Sequence, residues 1–439
     1  MSVPALPGRS IFERIRIMDQ FQYQSEPTPQ TVKKREPFRV SLGVLIICIL
    51  LTGVFVFMAT FVPLSLSCKQ EVEKAYGRFS KFEKLTEIAE LYDEVYLYEV
   101  DDDLLEEALT SAYVYGNGDR FSSYYSADAW AREMADSAGN SVGIGVYITY
   151  DQTKGLHIVQ IMDESPAKKA DLKVGDVIVA IDGEDVLTLG FDAAADKVRG
   201  EIGSSVTLTV DRNGERISVP VVRGQYVAQT VYHELLEVEG EKMGYIHITE
   251  FMSVEVTYAQ FKEAVDLLRA GGAKGLIFDV RDNPGGDLNA ICSILDYLLP
   301  QGPIVRMSYA GSSDVETIYS YDSEIDMPMI VLTNENTASA AELFTSALRD
   351  YDKAEIVGQT TFGKGCGQTG EMLSDGSVVF ITSFLYSPPY SDNYDGIGIV
   401  PDHEVALAEE WQEKNLFLVP HNEDAQLLKA VEVLLTQIP

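Results

Sequence analysis

The 439-residue chain is short of cysteine, histidine and positive charge. Its four cysteines are too few and too scattered to form the disulfide framework of a small secreted scaffold. Cys48 falls in an apolar run and Cys68 just beyond it. Cys292 and Cys366 lie far downstream, where a bridge between them and two separately packed thiols are both open readings. The five histidines, at 157, 233, 247, 403 and 421, share no ligand spacing, and there is no His-Glu-x-x-His. A zinc hydrolase and a His-based serine triad therefore lack their signatures, and neither a metal nor another cofactor is expected. Lys and Arg number 34 against 68 Asp and Glu, a net charge of −34, which argues against nucleic acid or anionic lipid as a partner. No short repeat or low-complexity tract is evident. What is present, 46% hydrophobic and 10% aromatic residues over this length, predicts a globular protein of more than one domain.

Charge is also missing from one long stretch, Val40 to Val62, which is rich in Leu, Ile, Val and Phe. At ~1.5 Å per helical residue it spans the ~30 Å hydrocarbon core of a membrane. Lys33, Lys34, Arg35 and Arg39 precede it and predict a cytoplasmic N-terminus. A cleaved signal peptide is the rival reading. The long polar lead and the lack of an Ala-x-Ala site favour an uncleaved anchor. Ser65-Leu-Ser-Cys68 has its apolar residue in the wrong place for a lipoprotein box. Residues 1–39 carry a net +3 and residues 40–439 a net −37, so the acidic part is expected outside the cytoplasm.

Acid is absent from Gly358 to Gly370, and that gap frames Thr360-Thr-Phe-Gly-Lys-Gly-Cys-Gly-Gln368. Upstream stands Asn334-Glu-Asn-Thr-Ala-Ser-Ala-Ala-Glu342. A serine hydroxyl needs a base to take its proton, and a lysine can serve once burial lowers its pKa from ~10.4. Ser339 and Lys364 fit those roles, with Gln368 placed to orient the amine. Each has a plainer reading. Ser339-Ala-Ala-Glu342 is also a capping box, and Lys364 is also a loop lysine between glycines. A third motif, Lys274-Gly-Leu-Ile-Phe-Asp-Val-Arg-Asp-Asn-Pro-Gly-Gly-Asp287, predicts a buried strand over Leu276–Val280. A tight Asn283-Pro-Gly-Gly turn follows, then a helix with Leu288, Ile291, Ile294, Leu295 and Leu298 on one face. Amide groups exposed by such a turn can hold an oxyanion.

Taken in order, these motifs resemble the carboxyl-terminal processing peptidases, serine proteases with an embedded PDZ domain. The resemblance runs from about Asp101 to the C-terminus. It is carried by Gly118-Asp-Arg-Phe-Ser-Ser-Tyr-Tyr-Ser126, Gly143-Ile-Gly-Val146, Ser165-Pro-Ala167, Gly175-Asp-Val-Ile178 and Val198-Arg-Gly200, together with the three motifs above and Gly398-Ile-Val-Pro-Asp402. It implies an α/β fold: a crotonase-like or ClpP-like protease core with an inserted PDZ domain, an N-terminal helical region and one transmembrane helix. It further implies a Ser339 nucleophile, a Lys364 base, Gln368 as its positioner, and an oxyanion hole from the N–H groups of Ala340 and Gly286. Gly143, Ile144, Gly145 and Val146 would bind a substrate's terminal carboxylate as the tail adds an edge strand. Arg199 would couple the PDZ domain to the protease core, or serve only as a cation at a helix C-terminus. Two departures bear on substrate preference: Cys366, where the family often has a small or aliphatic residue, and the Ser387–Asp395 loop.

The expected layout is a tail at 1–39, an anchor at 40–62, a helical region at 69–140, a PDZ domain at 141–224 and a protease core at 225–439. Leu85, Ile88, Leu91 and Tyr92 recur at helical spacing. In the family this region helps pair subunits, so a homodimer is expected, with packing inside the domain as the plainer reading. The whole reads as a membrane-anchored endopeptidase acting on proteins with exposed C-terminal tails. The alternatives are an inactive PDZ-bearing adaptor and an oligomeric scaffold.

Overall fold

The computed structural model describes residues 41–47, 49–60, 82–137, 140–321 and 323–438. The basic flank, Cys48, Cys68 and the Val72 end of the helical region lie outside the described residues. The chain divides into two units, residues 1–99 and 100–439. In the first, Leu42–Thr60 forms a 19-residue helix of mean hydropathy 2.9, long and apolar enough to cross a membrane. The helix Glu83–Val95 follows, and its Leu85, Ile88, Leu91 and Tyr92 are all exposed.

The second unit opens with the helix Asp102–Tyr115, capped by the Asp101 carboxylate on the Leu104 N–H at 3.1 Å. The helical pattern then breaks. Ser123–Tyr125 is a strand, because it pairs with Val378–Phe380, a partner too distant for local periodicity to reveal. The helix Ala127–Ser137 comes next.

Residues 146–222 form an antiparallel sheet around its own core, in which Leu156, Ile178, Ile181, Val206, Leu208 and Val210 are fully buried. Asp182 and Gly183 both have positive φ, 51° and 85°, as a two-residue hairpin between Ala180–Ile181 and Glu184–Asp185 requires. Val146–Asp151 is an edge strand, paired among the described residues only with Gly155–Ile161. The entering strand Asn140–Gly143 and the leaving strand Gly224–Val227 pair with each other as a two-stranded ribbon.

The rest is built on a second six-stranded sheet. Val231–Val238 and Glu241–Ile248 form a hairpin, and Leu276–Asp279, Met329–Thr333, Ala354–Gly358 and His403–Glu404 add in parallel. Met329–Thr333 is buried along its whole length because both faces of the sheet are covered. Met329 and Val331 face the helices Ala259–Ala270, Leu288–Leu298 and Ala340–Asp350. Ile330 and Leu332 face Ala425–Gln437 on the other side. An antiparallel sheet of Ser123–Tyr125, Val378–Ser387, Gly302–Tyr309 and Val315–Ser320, with Cys366–Met372 beside the second of these, completes the fold.

Candidate active site

Two adjacent parallel strands, Leu276–Asp279 and Met329–Thr333, deliver the site from their carboxyl ends, where open α/β sheets place their ligands. The loops that follow are stitched together. Asp282 Oδ1 accepts from Asn334 Nδ2 at 2.7 Å and Asn336 Nδ2 at 2.9 Å, and the Asp282 N–H donates to Asn334 Oδ1 at 2.9 Å. The Asn283 carbonyl takes the Ala338 N–H at 2.9 Å.

Both glycines of the Pro284-Gly-Gly turn are sterically required. A Cβ on Gly285 would lie 2.7 Å from Ser339 Cβ and 2.8 Å from the Ala340 nitrogen. One on Gly286, at φ 137°, would lie 2.1 Å from the Phe251 carbonyl oxygen. The Gly285 N–H is bonded to Asn283 Oδ1 at 2.9 Å, and the Asp287 N–H to the Phe251 carbonyl at 2.6 Å. Among the described residues, no acceptor is bonded to the Gly286 N–H or to that of Ala340 at the head of its helix.

Ser339 precedes the helix Ala340–Asp350 with φ 54°, ψ −118°, a conformation that costs a non-glycine residue roughly 1–3 kcal/mol. The Glu342 carboxylate is what holds it. Fully buried, it accepts from the Ser339 N–H at 2.9 Å, Thr361 Oγ1 at 2.5 Å, the Gly363 N–H at 2.7 Å and the Lys364 N–H at 2.8 Å. Burial pushes its pKa above the ordinary value, with these four bonds pulling the other way. Only the glutamate half of the capping box expected from sequence is made: Glu342 accepts from the Ser339 N–H, while the Glu342 N–H donates to the Ser339 carbonyl at 2.9 Å and not to Oγ. The same carboxylate ties the Ser339 turn to the Lys364 loop.

The Lys364 side chain is half-buried, and burial lowers its pKa below the ordinary 10.5. Cys366, then Asp119 and Glu342, oppose that shift. The acid-free Gly358–Gly370 stretch thus does not give Lys364 acid-free surroundings, since those carboxylates arrive from elsewhere in the chain. The amine donates to Gln368 Oε1 at 3.1 Å and lies 4.7 Å from the centre of the Phe121 ring. Gln368 Nε2 donates in turn to Thr382 Oγ1 at 3.2 Å. Among the described residues, no hydrogen bond joins Lys364 Nζ to Ser339 Oγ. The nearest link is Tyr386, whose hydroxyl lies 2.6 Å from the Lys364 carbonyl oxygen and 3.3 Å from Ser339 Oγ.

Behind the turn, Arg281 is buried against Asp279, Asp424 and Gln426, its Nη2 2.6 Å from Asp279 Oδ2 and 2.7 Å from Asp424 Oδ2. Burial raises the Asp279 pKa, but the guanidinium outweighs it and holds the group at about 2. Folding gains from this pair above the ordinary 3.8 and loses that gain as pH falls toward 2.

Two cavities, of about 1040 and 550 Å³, share Tyr147 and Glu250 as lining residues. The larger reaches Gly286, Asp287 and Arg199, and the smaller reaches Ala338, Phe121 and Lys364. Arg199 closes the helix Phe191–Val198, but the cation on that helix's last carbonyls is Arg223, bonded to Val198 O at 3.0 Å and Lys197 O at 2.6 Å. Arg199 pairs at 3.4 Å with Asp196 and faces the cavity. Gly143 to Val146 lead into the edge strand, with Ile144 buried. Cys292 and Cys366 are both buried free thiols, so the bridge between them is absent. Burial raises the Cys366 thiol to about 11.

Sequence reasoning did not reach Tyr386, Phe121 or the wider role of Glu342. Phe121 stood in a quoted motif with no chemistry assigned to it. Tyr386 had no local signal at all.

Comparison with known proteins follows the same lines. The description Peptidase family S41 matches residues 242–405, and PDZ domain matches residues 157–212. The carboxy-terminal-processing protease of Bartonella bacilliformis is 30% identical, over 80% of this chain and 81% of its own length. A probable CtpA-like serine protease of Staphylococcus saprophyticus is 28% identical, over 92% and 81%. An S41 protease structure from Bacteroides fragilis shares the fold at 17% identity and a TM-score of 0.53, covering 73% of this chain and 87% of that one. This chain belongs to peptidase family S41: it is a carboxyl-terminal processing serine peptidase that carries a PDZ domain.

Proposed function

We propose that the peptidase cuts peptide bonds with Ser339 as nucleophile and Lys364 as general base, the amine being positioned by Gln368. The Glu342 carboxylate carries this reading, because it fastens the Ser339 turn and the Lys364 loop together through bonds to both backbones. In the neutral form Lys364 takes the Ser339 proton as Oγ attacks the scissile carbonyl. The Ala340 and Gly286 amides, which have no other acceptor among the described residues, stabilise the oxyanion. Lys364 then gives its proton to the leaving amine, and water releases the acyl-enzyme by the same route. The amine's present bond to Gln368 makes this a resting arrangement, in which Nζ must move onto Ser339 Oγ before reaction.

Substrate tails would bind along the free edge of Val146–Asp151 with their carboxylate at Gly143–Val146, and the scissile segment would lie in the cleft past Tyr147 and Glu250. Arg199, facing that cleft, is suited to couple the PDZ domain to the core. Boundaries at 141 and 224 fall in the paired ribbon. The Leu42–Thr60 helix would anchor the chain with its acidic part outside the cytoplasm. The exposed apolar stripe of Glu83–Val95 would pair two copies.

The test is turnover of an unstructured protein with an apolar C-terminus by the full chain in detergent micelles, between about pH 6 and pH 10. Wild type is run beside Ser339→Ala and Lys364→Ala. Activity in wild type alone, rising with pH, is the expected result. Undiminished turnover by either variant would end this reading.

A further inference from the structure

Tyr386 lies on Val378–Ser387 and is 6% exposed. Its hydroxyl carries one proton and faces the Lys364 carbonyl at 2.6 Å and Ser339 Oγ at 3.3 Å, with the Tyr394 hydroxyl as a third neighbour. A carbonyl oxygen can only accept. The shorter bond therefore takes the phenol proton, and the Ser339 hydroxyl donates its own proton to the phenol oxygen. The ring also packs edge-on against Tyr394, with centroids 6.0 Å apart, so the hydroxyl has little freedom beyond rotation of its O–H. Burial keeps the phenol pKa well above its ordinary 10, which excludes it as a base and leaves it a permanent donor.

We propose that Tyr386 is a switching hydrogen-bond donor to the nucleophile, holding Ser339 Oγ at rest and turning its O–H onto Oγ as the serine proton leaves. The proposal rests on the assignment of Ser339 and Lys364 above. As Oγ gives its proton to the neutral Nζ of Lys364, an ammonium forms and negative charge grows on Oγ. That oxygen becomes a stronger acceptor than a neutral carbonyl, so the phenol O–H turns to it. The Oγ electron pair then forms the bond to the scissile carbon, whose π pair moves onto its oxygen in the amide pocket. Tyr386 keeps its proton throughout. Its contribution falls on the attack step rather than on substrate binding.

The experiment compares wild type, Tyr386→Phe, Tyr394→Phe and Ser339→Ala in the full chain. It measures labelling by a serine-reactive fluorophosphonate, peptide turnover across pH, and thermal melting. In Tyr386→Phe the labelling rate and kcat are expected to fall about 10–100-fold with KM within about twofold of wild type. The melting temperature and the pH of half-maximal rate should stay in place. Tyr394 touches the Ser339 carbonyl oxygen at 3.5 Å and the Tyr386 hydroxyl, but among the described residues makes no bond to Ser339 Oγ, so Tyr394→Phe should cost less than Tyr386→Phe. Wild-type rates in Tyr386→Phe overturn the proposal. So do equal losses in the two variants, or a displaced pH midpoint, which would trace the loss to a moved Lys364. As a second route, 3-fluorotyrosine in place of Tyr386 is a stronger donor of nearly the same size. It should keep at least the wild-type labelling rate, and a fall like that of phenylalanine would mean packing alone. Labelling of Ser339→Ala at the wild-type rate would remove the underlying assignment, an outcome distinct from normal behaviour of Tyr386→Phe alone.

Discussion

The backbone at Ser339 and the amine of Lys364 share one site and are held in opposite ways. The Ser339 N–H is fixed by a buried carboxylate, the neighbouring Ala338 N–H by the Asn283 carbonyl, and the facing glycines fit no larger residue. Among the described residues, the Lys364 amine has one hydrogen bond, to Gln368, and an aromatic face beneath it. On the proposed roles, the oxyanion amides and the nucleophile would thus be in position before any substrate arrives, whereas the base would be left adjustable. Such a division would let the site change state at little cost, because moving one side chain costs far less than rebuilding a turn.

The strongest way to break the contrast is to remove its rigid half. Glu342→Ala leaves three amides and a hydroxyl without their acceptor. It should lower stability by about 3–5 kcal/mol and abolish turnover. Urea unfolding is the check, and a loss below about 1 kcal/mol would mean the carboxylate is not the tie described here.

Loosening the adjustable half should act on rate and leave stability nearly unchanged. Gln368→Ala is expected to reduce kcat about 10–100-fold while the melting temperature barely moves. Equal damage to both would erase the distinction between the halves.

A finer test uses the ring under the amine. A cation over an aromatic face is worth about 0.5–2 kcal/mol, and it favours the charged form of Lys364. Burial already places the titration below 10.5; with Lys364 as the proposed base, activity would need the uncharged amine, so rate should rise as pH climbs through that lowered value. Phe121→Leu should move the half-maximal rate to still lower pH. A pH–rate profile that stays put, or moves upward, would show that the ring does not act on the charge.

The smallest effect concerns strain. Ser339→Gly and Ser339→Ala both lose the hydroxyl, but only glycine accepts φ 54° freely. The glycine variant should therefore be the more stable of the two by about 1 kcal/mol in denaturant titration.

Much of this was legible in the sequence because the signals were local. The run Leu276–Val280, the Asn283-Pro-Gly-Gly turn and the helix that follows each announce themselves within a dozen residues. So do the Ser339–Glu342 box and the Gly–Lys–Gly segment. What was not legible depends on chain segments far apart. Tyr386 comes within reach of Ser339 only because Val378–Ser387 pairs with Cys366–Met372, and nothing near residue 386 records that register. Phe121 reaches Lys364 through the same sheet, since Ser123–Tyr125 is its edge. The carboxylates that act on Lys364, Asp119 and Glu342, likewise come from outside the Gly358–Gly370 stretch, so its lack of Asp and Glu was a poor guide to the electrostatics around the amine.

The ribbon of Asn140–Gly143 against Gly224–Val227 has a consequence for how such a chain could be assembled or rebuilt. Because Gly143 faces Gly224 across one rung, the eighty residues between them begin and end at the same spot, about 5 Å apart. The PDZ domain is therefore a cassette on a two-ply stem. It can be lifted out or exchanged without asking the parallel sheet to bridge a gap. The same stem runs on directly into Val231–Val238, the first strand of that sheet, so a twist applied to the cassette is delivered to the sheet at its edge.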